Sequence, residues 1–195
     1  MAFKIESIHL GEIKVIVPDV FADHRGFFME SYRQDVFTEL GIPFDFKQDN
    51  HSRSARGVVR GLHFQWDAPL AKLMRVTVGT AFLVAVDIRK GSPTLGQWFG
   101  VEVSAENRRQ VFAPPGFARG FCVLSEWVEL QYKCTAIYNK HGEGGIRWND
   151  PAIGIDWQLD NPLLSEKDAV APTLEEWLTL PESDHFRYEP QGELA

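Results

Sequence analysis

Lys72-Leu73-Met74-Arg75-Val76-Thr77-Val78-Gly79-Thr80-Ala81-Phe82-Leu83-Val84-Ala85-Val86-Asp87-Ile88 contains two strand-length runs rich in valine, separated by a Gly-Thr pair. β-branched and aromatic side chains suit a pleated surface, so the two runs read as consecutive β-strands with Gly79-Thr80 as a tight hairpin turn. In the first run Met74, Val76 and Val78 share a face with Lys72, the period-two pattern of a strand. The stretch from Val76 to Ile88 is the longest apolar run of the chain, and Gly79 and Thr80 break it well short of a membrane span.

Similar runs of about 5 to 8 residues, punctuated by Gly, Pro, Asn or Ser, extend from Phe27 to Tyr138. Strands are expected at 27–32, 58–64, 72–78, 81–88, 97–103, 110–113, 117–123 and 127–135. Helical signals are confined to 35–40 and to 174–180, the latter preceded by Pro172-Thr173 as a cap. The fold class is therefore all-β: a jelly roll or cupin-like barrel with short peripheral helices, an architecture that encloses one ligand between its sheets. No repeat, low-complexity tract or linker divides the chain, so 1–195 is read as a single domain. Within it, 1–50 holds N-terminal strands, 51–138 the barrel core and 139–195 a C-terminal segment with short helices.

Charge is unevenly distributed. The chain carries 20 Lys and Arg against 27 Asp and Glu, a balance that excludes a general nucleic-acid binder. Between His51 and Arg75, however, five basic residues (Arg53, Arg56, Arg60, Lys72, Arg75) face one acid, Asp67, whereas residues 141–195 hold twelve acids and three basic residues. A solvated face is the plain reading of each; a basic cluster in an acidic chain also suits a small anionic ligand. Met1 to Gly11 mixes Lys4, Glu6 and His9 into its apolar residues, so neither a signal peptide nor a membrane segment is expected. Cys122 and Cys134 are the only cysteines, too few for a disulfide framework and wrongly spaced for zinc, which points to the cytoplasm.

Strand alternation marks polar residues on apolar faces. Lys72 falls with Met74 and Val76, Tyr132 with Val128, Leu130 and Cys134, and Arg119 with Phe117, Phe121 and Val123. Burying such groups unpaired is costly, so they either line a wet cavity or, for Lys72 and Arg119, snorkel from strand ends; Tyr132 also suits a core tyrosine with a satisfied hydroxyl. Strict alternation puts Arg60 and His63 on opposite faces, unless Gly61 marks a bulge that re-aims one of them. A metal-binding cupin carries His-x-His on a strand and a further His after Pro-x-Gly. In this chain Gln65 stands in the second position, and Pro114-Pro115-Gly116-Phe117-Ala118 leads into Arg119, a cation that cannot ligate. The expectation is metal-free chemistry on an anion.

These residues carry a family resemblance. The chain resembles the dTDP-4-dehydrorhamnose 3,5-epimerases in Asp23-His24-Arg25-Gly26-Phe27-Phe28-Met29-Glu30, Gln48-Asp49-Asn50-His51-Ser52, Val59-Arg60-Gly61-Leu62-His63-Phe64-Gln65 and Lys72-Leu73-Met74-Arg75-Val76. It does so again in Val86-Asp87-Ile88-Arg89, Ser92-Pro93-Thr94, Trp148-Asn149-Asp150-Pro151 and Leu164-Ser165-Glu166-Lys167-Asp168. The resemblance implies a jelly-roll homodimer without cofactor or metal, acting on a dTDP-4-keto-6-deoxyhexose. It implies His63 as general base oriented by Asp168, Tyr132 as the opposing acid and Lys72 as the group that stabilises an enolate oxygen. Arg25, Glu30, Gln48, Asp49, Asn50, Arg60, Arg119, Glu143 and Lys167 fall at substrate-contact positions, with Arg25 and Glu30 reaching over from a partner subunit through an exchanged N-terminal strand. Arg119 departs from the histidine more often found there.

The implied chemistry fits the residue types. A 4-keto sugar has acidic C–H bonds at C3 and C5, and inversion takes a proton from one face and returns one to the other. Imidazole has an unperturbed pKa of about 6.5 and suits the base, whereas a phenol, at about 10, stays protonated and donates. Arginine forks match a diphosphate. Phe27 and Tyr138 suit stacking on the base or sugar; for Phe27 the core is the plainer place. An epimerase acting at C3 or C5 alone would share this machinery, a non-catalytic nucleotide-sugar-binding module would not need His63, Tyr132 and Asp168 together, and a metal-dependent cupin is disfavoured by Gln65 and Arg119.

Overall fold

The computed structural model describes residues 3–189. Its strands are β1 (Phe3–His9), β2 (Ile13–Pro18), β3 (Phe21–Asp23), β4 (Gly26–Phe28), β5 (Gln48–Ala55), β6 (Val59–Gln65), β7 (Lys72–Val78), β8 (Thr80–Asp87), β9 (Trp98–Ser104), β10 (Gln110–Ala113), β11 (Phe117–Val123), β12 (Trp127–Cys134) and β13 (Glu143–Gly145). Three short helices accompany them: α1 (Gln34–Glu39), α2 (Glu166–Ala169) and α3 (Leu174–Thr179). A six-stranded sheet in the order β1-β2-β10-β7-β12-β5 stacks on a five-stranded sheet in the order β13-β6-β11-β8-β9. The pairs within both sheets are antiparallel, as the all-β reading requires. No helix among the described residues is long and apolar enough to cross a membrane.

Alternation fills the space between the sheets. Met74, Val76, Val128 and Leu130 from the first sheet meet Leu83, Ala85, Phe117, Phe121 and Val123 from the second. The opposite faces are covered too. Phe37 and Ile42 close over Leu73 and Phe112 on one side, and Ile146, Ile153, Trp157, Trp177 and Phe186 close over Leu62, Phe64, Val84 and Ala118 on the other. The acidic C-terminal segment is thus bound through its large apolar side chains, and β13 within it adds an edge strand to the second sheet. Thr173 and Glu176 form a reciprocal capping box at the start of α3, where the Pro-Thr signal placed it.

Several expectations need correction. Gly79 does not close a hairpin: β7 and β8 lie in different sheets, so the chain turns a corner there. The corner needs glycine, because its φ is +77° and a Cβ would collide with the Trp127 carbonyl. The strand expected at 27–32 is only Gly26–Phe28, one arm of a small hairpin with β3, and the chain beyond it is irregular until α1. Phe27 is not in the core; it is 56% exposed, with the Arg108 guanidinium over its ring. β1 and β2 fall within 1–50, read only as holding N-terminal strands, and β5, which carries no apolar run, was not expected.

Candidate active site

The Gly61 bulge is present and builds the site. His63 pairs with Arg119 and Arg60 with Phe121, so three steps along β6 match two along β11. Val59, Leu62 and Phe64 accordingly pack on the outer side of the sheet, leaving Arg60 and His63 together on the inner side. Gly61 sits at φ +137°, and a Cβ there would lie 2.5 Å from the Gly120 Cα, so the two strands can approach this closely only as glycines.

His63 Nε2 lies 2.6 Å from Asp168 Oδ1, and the Gly61 N–H donates to the other carboxylate oxygen at 3.4 Å. Asp168 comes from α2, whose N-cap Ser165 accepts from the Asp168 N–H, so the cap fixes the backbone that aims the carboxylate. Burial opposes charge on Asp168. Hydrogen bonds from His63, Gly61 and Ser165, with the attraction of the imidazole, outweigh it and hold the carboxyl below its ordinary value. With Nε2 engaged, Nδ1 is the imidazole nitrogen left for a substrate.

Facing His63 across one small cavity, of about 100 Å³, are Tyr132 and Cys134 from β12, Gln48 and Asn50 from β5, Lys72 from β7, Tyr138 from the segment before β13, and Glu143 at the start of β13. His63 and Tyr132 therefore stand on opposite sheets and look into the same space. Burial, helped by the neighbouring Cys134, raises the Tyr132 phenol, so it remains protonated. The Lys72 ammonium lies 4.8 Å from the centre of the Tyr132 ring and pairs with no carboxylate among the described residues. Burial and the nearby Arg119 charge bring Lys72 down to about 8. Two further clefts, of about 390 and 240 Å³, open from His63 toward Arg60, Leu164 and Lys167 and toward Gly145 and Pro172. Together the three spaces reach the size of a nucleotide-sized ligand site.

At the mouth, Lys167 bridges to Glu143 at 2.5 Å, and the Tyr138 hydroxyl donates to the other oxygen of Glu143 at 3.0 Å. Burial resists the charge on Glu143, but these partners lower its pKa overall. Arg60 is aimed by a 2.9 Å bond to Ser54. Gln48 donates to Asn50 and accepts from the Tyr138 N–H.

The sequence-expected residues divide into two groups. His63, Asp168, Lys72, Tyr132, Gln48, Asn50, Arg60, Glu143 and Lys167 converge on the three connected spaces. Asp49 does not: alternation along β5 turns it to the outer face, where it pairs with Lys133 at 3.0 Å. Arg25 pairs with Asp23 on the β3–β4 hairpin, and Glu30 lies near Arg33; neither lines the spaces around His63. Arg119 does not snorkel. It is 3% exposed, and its Nη1 donates to the carbonyls of Leu70, Ala113 and Pro114. Ser165 and Ser54 were missed, although Ser165-Glu166-Lys167-Asp168 has the Ser-x-x-acid spacing of an N-cap.

A cupin-like barrel that sets an imidazole–carboxylate pair opposite a phenol and beside an ammonium has the equipment of a proton-transferring isomerase. Comparison with known proteins agrees. The chain matches the dTDP-4-dehydrorhamnose 3,5-epimerase family over residues 7–176, and it belongs to that family. It is 55% identical to the enzyme of that name from Shigella flexneri over 160 residues, 80% of this chain and 88% of the other. It is 54% identical to the one from Salmonella typhimurium over 170 residues, 86% and 93% of the two chains. The fold superimposes with a TM-score of 0.90 on a crystal structure of dTDP-6-deoxy-D-glucose-3,5-epimerase from Legionella pneumophila, determined in complex with dTDP-4-keto-L-rhamnose. That chain is 46% identical, and the match covers 96% of this chain and 99% of that one.

Proposed function

We propose that this chain inverts C3 and C5 of dTDP-4-dehydro-6-deoxy-D-glucose, giving dTDP-4-dehydro-L-rhamnose for dTDP-L-rhamnose biosynthesis, by proton transfer without a cofactor. The observation that carries the reading is the meeting of His63 and Tyr132, from opposite sheets, in one cavity that also holds Lys72. His63 takes the proton from carbon, Asp168 stabilises the imidazolium that forms, and the electron pair moves onto the 4-keto oxygen as an enolate. Lys72 meets that oxygen as its charge develops, so it favours the transition state over the ground state. Tyr132 returns a proton to the opposite face, and solvent restores both residues. Arg60 and Lys167 bind the diphosphate, Gln48, Asn50 and Glu143 orient the sugar, and the Tyr138 ring, 53% exposed at the mouth, stacks on the nucleotide. The unpaired thiols of Cys122 and Cys134 suit a cytoplasmic setting.

The test is to incubate the enzyme with the keto-sugar nucleotide in deuterated water and follow C3 and C5 by NMR. Deuterium at both positions is expected; uptake at one alone makes the chain a mono-epimerase, and uptake at neither overturns the reading.

Lys72 gives a pH signature. The charged form is the working one, so on the alkaline side kcat/KM falls as the pH rises through about 8, where an ordinary lysine would keep its proton to about 10.4. Lys72→Arg, whose guanidinium stays charged, removes that limb from whatever activity it retains. An unchanged limb in that variant assigns the titration to another group.

The working unit in this proposal is a homodimer. β1 and β2 are taken up by β10 of their own chain, which leaves the β3–β4 hairpin as the exchanged arm. That arm exposes Phe21, Phe27 and Phe28 at 53%, 56% and 61% and carries Arg25 away from its own protomer's cavity. Covering what remains exposed of each phenylalanine in a dimer is worth about 1–2 kcal/mol, roughly half the gain of full burial. Sedimentation is expected to show a dimer for the native chain and monomers for the Phe27→Asp/Phe28→Asp variant, which also loses at least about tenfold in kcat/KM as Arg25 leaves the partner's site. A monomeric native enzyme with full activity would refute the arm exchange.

A further inference from the structure

Gln65 occupies the position of the second histidine in a metal-binding cupin strand, and the chemistry above does not use it. Its side chain is not a vestige pointing into empty space. Gln65 is 3% exposed, its Nε2 donates to the Ala68 and Ile137 carbonyls at 2.9 and 3.3 Å, and its Oε1 accepts from the Asn139 N–H at 2.7 Å. The Ile137 carbonyl and the Asn139 N–H belong to the two peptide groups that flank Tyr138. One amide side chain therefore grips the backbone on both sides of that residue, while Gln48 takes the Tyr138 N–H at 2.8 Å. Neighbouring bonds tie the same two segments together: Asn139 donates to Asp67 at 2.6 Å, and the Trp66 N–H donates to the Gly142 carbonyl at 2.8 Å.

We infer that Gln65 is a positioning residue that sets Tyr138 at the mouth of the cavity, acting on nucleotide binding through Tyr138 rather than by contact with the substrate. Both of its donors are occupied by backbone carbonyls, so it has no N–H left to offer a ligand. The geometry is unusually specific for a scaffold role. The bonds reach from the end of β6, two residues after the base, to a segment more than seventy positions away, and they fix the one residue there that is exposed and aromatic at the opening. Fixing that backbone before substrate arrives removes part of the ordering cost of binding.

The inference rests on the reading of Tyr138 as the ring that stacks on the nucleotide, and a double-mutant cycle separates the two. Tyr138→Ala is expected to raise KM about tenfold, the size of one lost base-stacking contact. Gln65→Met, of similar length but without donors or acceptors, is expected to raise KM several-fold with kcat within about twofold, and the double variant to bind no worse than Tyr138→Ala alone, because contacts that act in series are not additive. Multiplying effects in the double variant, or an unchanged KM in Gln65→Met, overturn the inference and leave the role of Tyr138 standing. An unchanged KM in Tyr138→Ala overturns both. Should Gln65→Met fail to fold, Gln65→Asn keeps the amide but ends one methylene short of the Ile137 and Asn139 backbone, and a rise in KM is again expected; none would refute the inference.

Discussion

His63→Ala is expected to stop deuterium uptake at both C3 and C5 and to lower turnover by about 10³-fold or more, the upper range for loss of a positioned general base. In the proposed reaction both protons leave toward the same wall of the cavity, and His63 is the residue there held by a buried carboxylate at 2.6 Å. No other histidine lines the three spaces among the described residues. The change also deprives Asp168 of its partner, and leaving a buried carboxylate short of a donor costs about 1–3 kcal/mol of stability. His63→Asn keeps a donor for Asp168 and is the better-folded companion. It is expected to be as inactive as the alanine variant while its unfolding midpoint stays nearer the native one. Residual exchange at one carbon in either variant would mean that a second base serves that position.

Tyr132→Phe separates the two halves of the reaction. The substitution removes one oxygen from a ring that otherwise packs against Val128, Leu130 and their neighbours, so the cavity wall stays in place. His63 still removes and returns a proton on its own face, and deuterium uptake is expected to continue at a reduced rate. Net inversion requires a donor on the far face and is expected to fall about 10²- to 10³-fold. Equal loss of exchange and inversion would show that Tyr132 acts in the first step. Full inversion would remove it from the mechanism.

The fold was legible where strands bury an apolar face. Met74 and Val76 on β7, Leu83 and Ala85 on β8, and Phe117 to Val123 on β11 follow the period of two because one side of each meets the opposing sheet. It was illegible where a strand faces water on both sides. β5, Gln-Asp-Asn-His-Ser-Arg-Ser-Ala, has no apolar stripe because its inner face, with Gln48 and Asn50, lines a polar cavity and its outer face is exposed. The same alternation that brings Gln48 and Asn50 inward carries Asp49 outward, a distinction invisible until the strand is recognised. Lys72, Tyr132 and Arg119 were found as polar residues on apolar faces. What alternation could not rank was depth: Lys72 reaches the cavity, whereas Arg119 ends in backbone carbonyls. Gly79 misled because a glycine at positive φ serves a sheet-to-sheet corner as well as a hairpin, and only the pairing partners tell them apart.

The His63–Asp168 contact joins residues 105 positions apart. Between them the chain must finish the second sheet, run back across its outer side and seat Ile153 and Trp157 before α2 can present its carboxylate. Long closures of this kind form late, after local pairings have already reduced the cost of bringing distant segments together. His63 therefore acquires its partner near the end of folding, and a nascent chain still missing its final fifth would have a barrel without that pair. Recovery of epimerisation during refolding thus reports the docking of the C-terminal segment, whereas recovery of β-structure reports only the sheets beneath it.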